Sequence, residues 1–184
     1  MNLAYPDPEL GSAISRVRPW TRDDLDCIRA AATDPEIPKG TTVPAAYTED
    51  EGRAFIERQW SRNDDGQALA LAIARGATNE AVGHLYLGLT RVARQCRLGY
   101  WLIPDARRQG IGSDAVTLAS RWVLSETDVH RLVAEVHPDN AASIGLLTSC
   151  GFTLEGTLRS WLWIDDDVHD ALQFSLLRTD IVDQ

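Results

Sequence analysis

Apolar residues recur along the chain in two rhythms, and these rhythms divide it into elements. Residues 1–12 hold two prolines and little period, which predicts a loose arm. In "ISRVRPW", Ile14 and Val17 stand among polar residues, the pattern of a short edge strand. A helix-start signal runs from Thr21 to Asp24. Leu25, Ile28 and Ala32 then share one helical face, and Pro35 and Pro38 end the helix. "IPKGTTVPAAY" has no period and reads as a loop. Thr48 and Glu51 open a second helix, striped by Phe55, Ile56 and Trp60 and closed by "NDDG".

The rhythm then shortens to two. Leu69, Leu71 and Ile73 alternate with alanines up to Gly76, Val82–Leu89 follows, and "RLGYWLI" makes a third strand, Arg97 to Ile103. Gly110 to Ser125 carries the clearest helical stripe: Ile111, Ala115, Leu118, Ala119, Trp122 and Val123. "RLVAEV" is the next strand. "HPDNAASIGLLTSCGF" is a helix with Asp139 or Asn140 near its cap and Gly151 at its stop. Thr153–Ile164 and His169–Arg178 flank "DDD" as an antiparallel hairpin. The order is β-α-α-β-β-β-α-β-α-β-β, with no repeat or linker, so residues 1–184 read as one domain.

Composition narrows the function. A net charge of -9 repels a polyphosphate backbone, which argues against a nucleic-acid partner, and it draws in a cationic substrate such as an amine. Cys27, Cys96 and Cys150 are scattered, without metal-ligand or disulfide spacing, so no metal site is expected and the thiols fit a reducing compartment. No apolar run reaches the roughly 20 residues of a membrane helix, and the N-terminus lacks the pattern of a signal peptide; the expectation is a cytoplasmic protein without a membrane partner.

The chemistry concentrates in "DARRQGIGSDAV". Gly110 to Ala115 spells G-x-G-x-x-A, which can be read as a dinucleotide fingerprint. Glu135 meets that motif's demand for a later acidic residue, but "PDARRQ" separates Ile103 from the first glycine, and four strands and two helices precede the motif. The other reading uses the same physics for a different pyrophosphate. A helix N-terminus offers unpaired N–H groups and a positive dipole end, glycines permit close approach, and Arg107 and Arg108 add charge.

With its neighbours, this stretch resembles the GCN5-related N-acetyltransferase (GNAT) superfamily and, within it, the RimJ/RimL branch of ribosomal-protein N-terminal acetyltransferases. The Q/R-x-x-G-x-G/A signature is matched by Arg107-Arg108-Gln109-Gly110-Ile111-Gly112. Gly99-Tyr100-Trp101 precedes it, and Pro138-Asp139-Asn140-Ala141-Ala142-Ser143 matches P-x-N-x-x-S. Gly151-Phe152, Glu155-Gly156, Leu158-Arg159, Asp170 and Ser175-Leu176-Leu177 follow in the branch's order.

The resemblance implies an α+β fold of three layers, with a mixed, mostly antiparallel sheet of about seven strands and helices on both faces. It implies acyl transfer from acetyl-CoA, or another short acyl-CoA, to an amine by direct attack. The amine would be a protein N-terminus, a lysine or a small molecule. Arg107 to Ser113 would hold the CoA pyrophosphate, and the backbone at Leu102 and Ile103 would pair with the pantetheine arm, joined by Asn140. Many members of the superfamily place a Tyr acid where this chain has Leu147; the RimJ/RimL branch lacks it, and the acid role falls to Ser143. Glu135, mid-strand, is the candidate base, with His84, His137 or a water relay as alternatives. Trp161 and Trp163 share a strand face that suits an acceptor pocket, the core, or a homodimer surface. An acyl-CoA-binding regulator with weak catalysis is the competing function.

Overall fold

In the computed structural model, residues 2–182 are described. In chain order the strands and helices are β1 (Leu10–Gly11), β2 (Ser15–Pro19), α1 (Leu25–Ala32), α2 (Glu49–Asp64), β3 (Ala68–Arg75), β4 (Ala81–Leu89) and β5 (Gln95–Leu102). Then come α3 (Ile111–Glu126), β6 (Arg131–Val136), α4 (Ala141–Ser149), β7 (Thr153–Ile164), β8 (Asp167–Leu177) and α5 (Arg178–Val182). The strands form one sheet in the order β1-β2-β3-β4-β5-β6-β8-β7, antiparallel throughout except for β5 with β6. This is the α+β architecture expected, with eight strands rather than about seven.

Helix starts form where their caps lie in the sequence. Thr21 donates its backbone N–H to Asp24 Oδ2 at 2.8 Å, and Arg18 grips both oxygens of the same buried carboxylate at 2.8 and 2.9 Å. Thr48 Oγ1 accepts from the Glu51 N–H at 3.1 Å. β3 is buried from Ala68 through Ala74, so both of its faces are covered; α2 and α3 pack on it.

Two local expectations are corrected. The N-terminal arm is docked, not loose: the Leu3 N–H donates to Gly66 O at 2.7 Å, Leu3 enters the core, and Leu10–Gly11 pair with β2. The added strand moves Ser15–Pro19 one place in from the sheet edge. Both come from long-range contacts, which periodicity does not report.

Beneath α1 and α2, His84 lies between Trp20 and Trp101, with ring centroids 6.0 and 5.9 Å away. Its Nδ1 accepts from Trp20 Nε1–H at 3.2 Å. This occupies the ring as a core residue and leaves it no part as a base. Burial, aided by the Arg62 charge, pushes its pKa down to about 3. The unfolded chain takes up that proton near pH 6.5. Stability from neutral His84 is therefore complete above about pH 6.5 and declines as pH falls toward 3. By pH 5 the loss is expected to be about 2 kcal/mol. Denaturant unfolding at pH 7.5 and 5 should show this loss in the wild type and a smaller one in His84→Gln; equal losses would refute the assignment.

Candidate active site

The parallel pairing of β5 with β6 is brief. Gln95, Cys96 and Arg97 pair with Arg131, Leu132 and Val133, and beyond them the strands part. β6 continues along β8, and β5 continues along β4. In the β4–β5 ladder the Ile103 N–H donates to Val82 O at 3.0 Å. Alternation then turns the backbone groups of Leu98, Tyr100 and Leu102 toward the opening. Ile103, expected beside Leu102 at the cofactor arm, points the other way, because consecutive residues of a strand bond to opposite neighbours. The Leu102 carbonyl accepts from Arg107 Nε at 3.0 Å, so the group Leu102 presents to the opening is its N–H.

At the C-terminal end of β5 the chain turns through residues 103–110 into α3. Arg108 (φ 59°) and Gly110 (φ 77°) are both left-handed. Such residues interspersed with ordinary ones turn successive N–H groups to one side, the geometry of an anion nest. Gly110 stands at the cap of α3, where no side chain accepts from the helix, and the first backbone bond is Asp114 N–H to Gly110 O at 3.0 Å. The N–H groups of Ile111, Gly112 and Ser113 are thus the uncapped donors of this end. Asp114 would oppose an anion here, but its Oδ2 accepts the hydroxyls of Ser12 and Ser15, both at 2.6 Å, and faces the N-terminal arm.

The polar side chains of the loop divide. Gln109 Oε1 accepts from Arg75 at 2.8 Å. Arg107 Nη2 donates to Asp34 Oδ2 at 2.7 Å, so its guanidinium faces the loop after α1. Arg108 is exposed and forms no ion pair among the described residues.

α4 closes the other side. Asn140 is exposed, and its Oδ1 accepts the Ser143 N–H at 3.0 Å, capping the helix. Ser143 Oγ donates to the Tyr100 hydroxyl at 3.0 Å, and that hydroxyl donates on to Ser143 O at 3.4 Å. Burial pushes the Tyr100 pKa up to about 12, with the Ser143 bond opposing it. The pairing of Tyr100 with Ser143 was not foreseen from the sequence. "GYW" stood out, but no local signal carries a contact 43 residues away.

Glu135 lies on β6, with both oxygens on Arg97 of β5: Oε2 from Nε at 3.0 Å and Oε1 from Nη2 at 3.1 Å. This fork bridges the two strands just where their backbones part. His137 Nε2 lies 3.3 Å from His169 Nδ1, and its own Nδ1 accepts from the Asp139 N–H. Trp161 and Trp163 are 49% and 71% exposed, so they are not part of the core. Trp163, on the edge strand β7, pairs with Val168 of β8. No thiol is activated. Burial pushes Cys96 up to about 12 and raises Cys27 and Cys150 as well.

Comparison with known proteins agrees with this geometry. Residues 16–153 match the model of the acetyltransferase (GNAT) domain family. The uncharacterised N-acetyltransferase YoaA of Bacillus subtilis is 24% identical over 163 residues, covering 88% of this chain and 92% of its own. The [ribosomal protein uS5]-alanine N-acetyltransferase of Escherichia coli is 32% identical over 85 residues, 46% of this chain and 44% of its own. Mycobacterium smegmatis RimJ, solved with CoA-disulfide, superposes with a TM-score of 0.81 at 22% identity, covering 94% of this chain and 87% of that one. The splayed strands, the uncapped glycine turn and the match over residues 16–153 lead to one conclusion: the chain belongs to the GNAT acetyltransferase family and is an acetyltransferase.

Proposed function

We propose that the protein transfers an acetyl group from acetyl-CoA to the α-amine of a protein or peptide, by direct attack within a ternary complex. The observation that carries this reading is the uncapped N-terminus of α3 beside the splay of β5 and β6, with Ser143 held across it on α4. The N–H groups of Ile111, Gly112 and Ser113 bind the pyrophosphate, and Arg108 supplies charge beside them. The pantetheine arm lies in the splay, where the Leu102 N–H and the Asn140 amide NH2 meet its polar atoms. A donor on this edge also stabilises the oxyanion as the amine adds.

In the chemical step the neutral amine nitrogen bonds to the acyl carbon, the carbon–sulfur bond breaks, and its electron pair leaves on sulfur. The proton that the nitrogen sheds ends on the thiolate. In the ternary complex the Tyr100 O–H turns from the Ser143 carbonyl to donate to Ser143 Oγ, and this frees the Ser143 O–H, which otherwise bonds Tyr100, to donate toward that sulfur. With Tyr100 near 12, the pair stabilises the thiolate by hydrogen bonding and passes on the amine's proton instead of acting as a strong acid. Glu135, forked on Arg97, orders water at the cleft, and amine deprotonation runs through that water.

The charge of -9 suits a cationic acceptor, and the uS5-alanine enzyme among the relatives favours a peptide N-terminus over a small amine. Acetyl-CoA and new protein N-termini meet in the cytoplasm, the compartment proposed. The expected homodimer rests on the exposed indoles of Trp161 and Trp163, and sedimentation reads it.

Thiol release from acetyl-CoA, measured with N-terminal alanine and serine peptides, their N-blocked lysine counterparts and small amines, tests the acceptor class. The proposal expects turnover fastest with free N-termini. Faster turnover of lysine or small amines overturns the acceptor, and CoA binding without turnover of any amine favours the regulator.

A further inference from the structure

The arginine at the first position of the cofactor motif does not face its own loop. Arg107 Nη2 donates to Asp34 Oδ2 at 2.7 Å, and its Nε donates to Leu102 O at 3.0 Å. One planar fork therefore ties the loop after α1, the end of β5 and the cofactor loop together. Lysine, with a single ammonium point, does not reproduce such a fork.

The far end of this tie is built in. The Asp34 side chain is 3% exposed, against 46% for Arg107. Its Oδ1 accepts the N–H groups of Glu36 and Ile37 at 2.8 and 3.0 Å, starting the turn that leads into residues 37–47. Burial raises the Asp34 pKa, but these two N–H bonds and Arg107 outweigh it, and the net direction is down. Ile37 and Val43 carry the same segment into the core. The loop between α1 and α2 thus has a folded, anchored start, and the anchor is shared with the turn that presents the α3 N-terminus.

We propose that Asp34 is a positioning residue for acyl-CoA binding: through Arg107 it couples the α1–α2 loop to the acyl-CoA turn, so that cofactor binding orders that loop. This rests on the reading of the α3 N-terminus as the acyl-CoA site. Coupling between two sites is reciprocal, and typical couplings amount to roughly 5- to 150-fold in affinity. Loss of either partner frees the turn and the loop together, so CoA affinity falls although Asp34 lies outside the turn.

Calorimetric titration with CoA tests this on the full chain. Asp34→Asn and Arg107→Lys are each expected to weaken CoA about tenfold, and the double variant to bind no more weakly than the weaker single. Undiminished CoA affinity in Asp34→Asn, or losses that multiply, overturns the coupling. Should Asp34→Asn fail to fold, Arg107→Lys carries the test through limited proteolysis. Saturating CoA is expected to protect residues 33–48 in the wild type and not in Arg107→Lys. Equal protection in both, or none in a wild type that binds CoA, overturns the proposal. A wild type that does not bind CoA at all defeats the functional reading instead.

Discussion

Gly112→Val is expected to weaken acyl-CoA binding at least about a hundredfold while leaving a folded protein. A Cβ on Gly112 would lie 2.9 Å from Leu146 Cδ1 and 3.1 Å from Leu102 Cδ1. Both are ends of flexible side chains, so alanine costs a small adjustment. Valine adds two methyl groups and must displace both leucines, which line the two sides of the opening on β5 and α4. Overpacking of this kind costs about 1–3 kcal/mol of stability. The same displacement moves the Leu102 edge and holds the ligand off the helix N-terminus; a hundredfold loss corresponds to about 2.8 kcal/mol. Gly110→Ala is the contrasting control. Its Cβ meets nothing within 4 Å, but φ of 77° strains any side chain, so stability falls by about 1–2 kcal/mol without a block at the cleft. Calorimetry with CoA and thermal unfolding separate the two variants. Wild-type CoA affinity in Gly112→Val would mean that the ligand does not approach this turn.

Ser143→Ala is expected to lower kcat by about 10²–10⁴-fold with little change in CoA affinity. The alanine retains the backbone N–H that Asn140 Oδ1 caps, so the start of α4 persists and the loss reports the hydroxyl alone. Tyr100→Phe removes the group that orients this hydroxyl, at 3.0 Å, and is expected to cost less. Because the two act as one unit, the double variant should fall little below Ser143→Ala. Steady-state thiol release gives kcat for all three. Multiplicative losses would separate the two residues, and an unchanged kcat in Ser143→Ala would remove it from the chemistry.

Much of the fold was legible because its signals are local. The caps at Thr21 and Thr48 and the stripe of α3 lie in neighbouring residues and needed no partner to be seen. β1, the docked arm and α5 were not, since each is held from far along the chain or is too short to show a period. Leu3 meets Gly66, Ser12 meets Asp114, and Arg178 N–H meets His130 O. The site divides in the same way. The glycine turn could be read because φ of 77° and close packing each select glycine at one position. Where its arginine points could not, since Asp34 stands 73 residues away with no motif around it. Ladder parity also decided that Leu102 and not Ile103 faces the opening, and parity follows from the register with β4, which composition leaves open. Glu135 drew notice as a carboxylate in a strand; its partner Arg97 belongs to the neighbouring strand and appears only with the pairing.

The proposed reaction moves an acetyl group onto an amine nitrogen in this cleft. The most direct measurement mixes the protein, acetyl-CoA labelled in the acetyl group and a peptide with a free N-terminal alanine, and follows the label by mass spectrometry. Labelled peptide is expected in amounts equal to the free CoA released, with the label on the α-nitrogen and none retained on the protein. Bound CoA with neither labelled peptide nor amine-dependent thiol release would contradict the proposed reaction.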